Sequence, residues 1–121
     1  MTEVRTQRVR GELAEARQRI ANAGDALRAH PPEVAELYAT VDGVMEVSTA
    51  LVDLIDAARE QAPATLNGEV LDELDADLQA MRGCVSTGPL LLAPTRDDLY
   101  ALLSPVEQIR PCRGDGLVPD V

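Results

Sequence analysis

Phe, Trp and Lys are absent from this chain, and its aromatic character rests on Tyr38 and Tyr100 alone. A core here must be built from Leu, Val, Ile, Ala and Met, which suits helices meeting through aliphatic seams. A single histidine, His30, excludes a multi-His metal site. Two cysteines, Cys84 and Cys112, are too few and too isolated for a disulfide framework, although one bridge between them stays open. Long apolar runs are missing too: the longest charge-free stretch, Gly83–Thr95, has 13 residues and contains Gly88, Pro89 and Pro94. About 20 apolar residues are needed to span a bilayer, so no membrane span is expected. The first dozen residues carry Glu3, Arg5, Arg8, Arg10 and Glu12 instead of an apolar signal core. A cytoplasmic protein is the expectation.

What is present is acid, arginine and aliphatic residues. The net charge is −10 over 121 residues, and all eleven basic residues are Arg. Such Arg-, Ala- and Asp-rich usage is that of a GC-rich genome, of an actinobacterium or its phage; this bears on codons, not on function. The charge is uneven. Residues 1–30 hold six Arg against four acids (net +2), and residues 31–121 hold five Arg against seventeen acids (net −12). An acidic surface argues against direct binding to nucleic acid or an anionic membrane, because counterion release requires a basic footprint.

The chain reads as an all-α antiparallel helical bundle of two long helices, a shorter third helix and a short C-terminal helix. One domain over 1–109 is expected, followed by a mobile tail over 110–121, where RPCRGDGLVPDV is rich in Pro and Gly. In the first helix, over 2–29, Val9, Leu13, Ala16, Ile20, Ala23 and Leu27 step by four and three. His30-Pro31-Pro32 ends it. A central helix over 32–62 repeats the step with Val34, Leu37, Val41, Val44, Ser48, Leu51, Ile55, Ala58 and Ala62. Tyr38, Met45 and Val52 give it a second apolar edge.

So short a link predicts a hairpin of helices one and two, with Leu27 near Val34, Ile20 near Val41 and Leu13 near Ser48. In that register Gly24 either makes room for the Tyr38 ring or faces solvent. Asn67 is a cap for the third helix, over 68–85, which carries Leu71, Leu74, Leu78, Met81 and Val85. Folding it back sets Ile55 near Leu74, Leu51 near Leu78 and Val44 near Val85. The helices-one-and-two tip then remains for later sequence to cover. Gly83–Pro94 is expected as a connector, and Thr95 with Asp98 as the capping box of a short helix over 96–104. Ser104-Pro105-Val106-Glu107 repeats that pattern.

Glu33-x-x-Glu36 with Glu69-x-x-Asp72-Glu73-x-Asp75-x-Asp77 is similar to the Mg²⁺-holding pattern of the all-helical nucleoside-triphosphate pyrophosphohydrolases of the MazG type. That resemblance implies a metal-dependent nucleotide hydrolase. The expected register, however, sets the two acidic groups about 30 Å apart, which leaves a solvated acidic face. Asp53-x-x-Asp56 lies nearer the third helix but has no His beside it. Tyr38-Ala-Thr-Val-Asp42 resembles the Y-x-x-x-[DE] signal of type VII secretion substrates, but it lies early in a helix and no Trp-x-Gly turn accompanies it. His30, before Pro31, is placed to meet carbonyls at a helix end. No phosphate loop or nucleophile elbow occurs.

No catalytic residue, metal ligand or cofactor is assigned. The expected function is that of an acidic helical interaction or assembly protein, binding a protein partner or associating with itself. The candidate partner-binding residues are Leu37, Tyr38 and Val41 on the central helix and Asp72, Glu73 and Asp75 on the third. Mimicry of DNA by that acidic strip, toward a basic partner, is the other non-enzymatic reading.

Overall fold

A computed structural model describes residues 2–103. Tail expectations over 104–121, including the second capping pattern, the mobile tail over 110–121 and any Cys84–Cys112 pairing, lie outside the described residues. Three α-helices and no strand occur among those described: α1 (Thr2–Arg28), α2 (Val34–Gln61) and α3 (Gly68–Leu103). A 3₁₀ turn over Ala62–Ala64 joins α2 to the connector before α3.

The fold is organised by one antiparallel seam between α2 and α3. On α2 and the 3₁₀ turn that follows it the seam runs through Tyr38, Val41, Met45, Ser48, Val52, Ile55, Arg59 and Ala62. Every one of these is half-buried except Ile55, which is buried at 8% exposure. On α3 it runs through Leu71, Asp75, Leu78, Arg82, Val85, Pro89, Leu92, Arg96 and Leu99, all half-buried. Both series alternate steps of three and four, the a and d positions of a heptad. The edge formed by Tyr38, Met45 and Val52 therefore belongs to the seam itself.

Local chemistry fixes the helix ends. The Glu33 backbone N–H donates to a Glu36 carboxylate oxygen at 2.8 Å, so α2 starts two residues later than Pro32. At the far end the Thr65 and Leu66 amides donate to the Ala62 carbonyl at 3.0 and 2.8 Å. Gly68 then takes φ +67°, a left-handed conformation that suits glycine at the chain reversal.

Two expectations are corrected. Residues 83–94 are not a connector, and the helix expected over 96–104 is not separate. α3 runs unbroken for 36 residues with Pro89 and Pro94 inside it. At about 1.5 Å per residue it extends some 54 Å, enough to line the whole of α2. Thus the last described third of the chain does cover the start of α2, as a continuation of α3. The prolines leave the Val85 and Leu90 carbonyls without their usual helical donors. Upstream, the Thr87 and Ser86 hydroxyls donate to the Gly83 carbonyl at 2.8 and 3.2 Å. The Leu71-Leu78-Val85-Leu92-Leu99 stripe carries the helix across both prolines.

The second correction concerns α1. It does not form the expected hairpin with α2: Leu13 and Ile20 are 46% and 54% exposed, and Val34 is exposed as well. Gly24 lies against the side chain of Arg28 in its own helix, not against Tyr38. No hydrogen bond or ion pair among the described residues ties α1 to α2 or α3. Its polar contacts are internal, Arg19 to Glu15 at 2.6 Å and Arg28 to Asp25 at 3.2 Å. A turn at Ala29, a bend at His30 and an extended Glu33 separate the two helices.

Candidate interaction surface

Polar pairs set the register of the seam. Arg82 forks onto Asp56 with Nε–O 2.7 Å and Nη2–O 3.3 Å, and Arg59 onto Asp75 with 2.9 and 3.4 Å. Arg96 donates to Asp42 at 3.3 Å. Asp42 and Asp56 are two heptads apart on α2, as are Arg82 and Arg96 on α3, so one register serves both pairs, Arg82 through two nitrogens and Arg96 through one. A shift by one heptad would part both pairs. Tyr38 and Tyr100 close the far end, their ring centroids 5.9 Å apart and tilted by 47°.

These paired side chains lie nearer their helix starts than their Cα atoms do, since helical side chains lean toward the N-terminus. The observed partners are therefore displaced along α3 from the expected Ile55–Leu74 and Leu51–Leu78 pairs. The hydrogen bond from Arg82 holds the Asp56 carboxyl below the usual carboxylate range, and the bond from Arg59 does the same for Asp75. Arg59 and Arg82 are correspondingly held above theirs.

The opposite flank of the hairpin is apolar and uncovered. Leu37, Val44 and Leu51 precede seam positions by one residue, and Val47 and Leu54 extend their face; all five are exposed. In an antiparallel pair the matching positions of α3 are Leu74, Met81 and Leu102, which border the same side of the seam. Met81 and Leu102 are exposed at 56% and 65%. The hairpin thus has a closed flank, carrying the Asp42 and Asp56 ion pairs, and an open one.

The six candidate residues divide between these surfaces. Leu37 lies on the open flank. Tyr38 and Val41 are half-buried in the seam, and Tyr38 meets Tyr100. Asp72 and Glu73 are exposed on α3, while Asp75 is held by Arg59. The structure therefore does not gather the six into one patch. Val44, Val47, Leu51 and Leu54 were the residues to add. The signal was in the sequence as a second stripe on α2, offset by one position from the seam.

The remaining candidates sit apart. Glu33 and Glu36 are at the start of α2, while Glu69 and Asp72 are near the turn, about 40 Å away along the hairpin. No group of three His, Cys, Asp or Glu side chains converges as a ligand set among the described residues. His30 Nδ1 lies 3.0 Å from the Pro31 carbonyl, and its Nε2 lies 3.8 Å from Glu36. Cys84 is exposed on α3. No helix among the described residues is long and apolar enough to cross a membrane. No protein-family model matches the chain, and no curated protein or solved structure is significantly similar to it.

Proposed function

We propose that this chain is a small, non-catalytic, cytoplasmic interaction protein whose α2–α3 hairpin presents an apolar flank to another helix, in an assembly of its own copies or with a protein partner. The observation that carries the reading is the unpartnered stripe Leu37, Val44, Val47, Leu51 and Leu54 beside a seam already satisfied by α3. Two-helix hairpins bury little, and a second heptad-spaced stripe is what a three- or four-helix bundle uses for its next contact. The acidity of the hairpin, three Arg against thirteen acids over 34–103, favours a basic or mixed-charge helix over nucleic acid.

Sedimentation velocity on the full chain, from micromolar concentration upward, tests this. An associating species that dissociates in the double variant Val47→Asp, Leu51→Asp supports the reading. A wild-type monomer at every concentration overturns self-assembly as its basis.

A further inference from the structure

We infer that α1 of one copy lies on the apolar flank of the α2–α3 hairpin of a second copy, and reciprocally, in a two-fold exchanged dimer. This rests on the association proposed above and names its occupant. Both surfaces are uncovered in the single chain: Val9, Leu13 and Ile20 on α1, and Val44, Val47, Leu51 and Leu54 on the hairpin. Most helical stability in proteins comes from packing an amphipathic face, and α1 leaves its face bare. The two stripes match in extent. Val9 to Leu27 and Leu37 to Leu54 each run about 26 Å, both at heptad spacing.

Charge selects the same occupant. The hairpin's three arginines, Arg59, Arg82 and Arg96, are all engaged with Asp75, Asp56 and Asp42. Asp97 lies 3.9 Å from Arg96, and the other acids, among them Asp77 and Asp98 beside the open flank, have no arginine within ion-pair distance among the described residues. On α1, Arg10 and Arg17 border one side of the Leu13–Ile20 stripe; Arg5, Glu12 and Arg19 border the other, with Arg19 held by Glu15. Arg5, Arg10 and Arg17 have no acid within ion-pair distance among the described residues. An arginine-edged apolar stripe thus faces an acid-edged one.

The single chain bears on own versus second copy. His30 and Pro31 each precede a proline, which disfavours the helical region for both, and the chain turns at Ala29 and bends at His30 before an extended Glu33. Across this link α1 does not pack on its own hairpin, Leu13, Ile20, Val44 and Leu51 all being exposed, so a second copy offers α1 the flank that its own chain leaves bare. Reciprocal exchange closes the assembly at two copies and uses each stripe once.

Full-length variants test the exchange. Leu13→Asp with Ile20→Asp disables α1, and Val44→Asp with Leu51→Asp disables the flank. Each variant alone should dimerise about a hundredfold more weakly than wild type, because an aspartate would be buried in an apolar contact. An equimolar mixture should recover dimers, since one intact α1 meets one intact flank. If the α1 variant remains dimeric, the exchange is wrong while association stands; if wild type is monomeric, both fail.

A mixture that stays monomeric also overturns the exchange. A second measurement does not depend on those variants. One copy carries a nitroxide at Asn22→Cys in a Cys84→Ser, Cys112→Ser background, and is mixed with a methyl-labelled copy. Broadening of Val44, Val47 and Leu51 methyls across copies is expected. Methyls left sharp in that mixture but broadened when nitroxide and methyl labels share one chain would place α1 on its own hairpin and overturn the proposal.

Discussion

Two aspartates give the seam its sensitivity to acid. Asp56 and Asp75 are held below the usual carboxylate range by hydrogen bonds from Arg82 and Arg59. A carboxyl whose folded pKa is depressed contributes stability that is fully present above its unfolded value, about 4, and is lost as pH falls through the folded value. The hairpin should therefore lose helicity by circular dichroism below about pH 4, and Asp56→Asn together with Asp75→Asn should flatten that loss. An unchanged acid profile in the double variant would remove the two pairs from the account. Gly68 carries a different constraint. A Cβ there meets nothing within 4 Å, so only its φ of +67° opposes substitution. Gly68→Ala should cost about 1 kcal/mol in chemical denaturation, and Gly68→Asn less, because Asn tolerates the left-handed region.

At the scale of elements, the helical class, the ends of α1 and α2, and the start of α3 at Gly68 were legible in the sequence, because caps and periodicity are local. The continuation of α3 was legible in part. Leu71, Leu78, Val85, Leu92 and Leu99 repeat every seven residues straight through Gly88, Pro89 and Pro94. Local breaker chemistry pointed to a stop, and the seam overrode it because each of those five side chains is half-buried against α2.

The choice of partner for α2 was not legible. Its two stripes are offset by one residue, and amphipathicity shows that a face must be covered without saying by which helix. The open flank was hidden for the same reason, and of its residues only Leu37 stood among the candidates. The prolines supply a test of the continuous helix. Pro94 is exposed and Pro89 half-buried in the seam, so only Pro89 returns packing for its missing hydrogen bond. An interior proline costs about 3 kcal/mol relative to alanine. Pro94→Ala should raise the thermal midpoint more than Pro89→Ala does; a fall in the midpoint for Pro94→Ala would argue against helix through that position.

At the scale of the whole molecule, one buried residue among those described, Ile55, is a small core for three helices. Covering α1 and the open flank would therefore supply much of the apolar burial that the single chain lacks. If that cover is a second copy, folding and association are linked, and the thermal midpoint depends on protein concentration. Each tenfold rise in concentration should stabilise the dimer by about 1.4 kcal/mol, read as a rising midpoint in circular dichroism melts. A chain whose helices cover one another internally would melt at the same temperature throughout.

Salt should act in a defined direction as well. α1 carries six Arg against four acids, and 34–103 carries three against thirteen, so an α1–flank contact would join opposite charges. Charges on exposed edges are screened beyond about 10 Å at 0.1 M salt. Raising salt should lower the midpoint of the concentration-dependent transition while leaving the apolar part of the contact in place. If salt instead raised the midpoint, repulsion between two acidic hairpins would dominate the assembly, and the arginine edges of α1 would not be facing their acids.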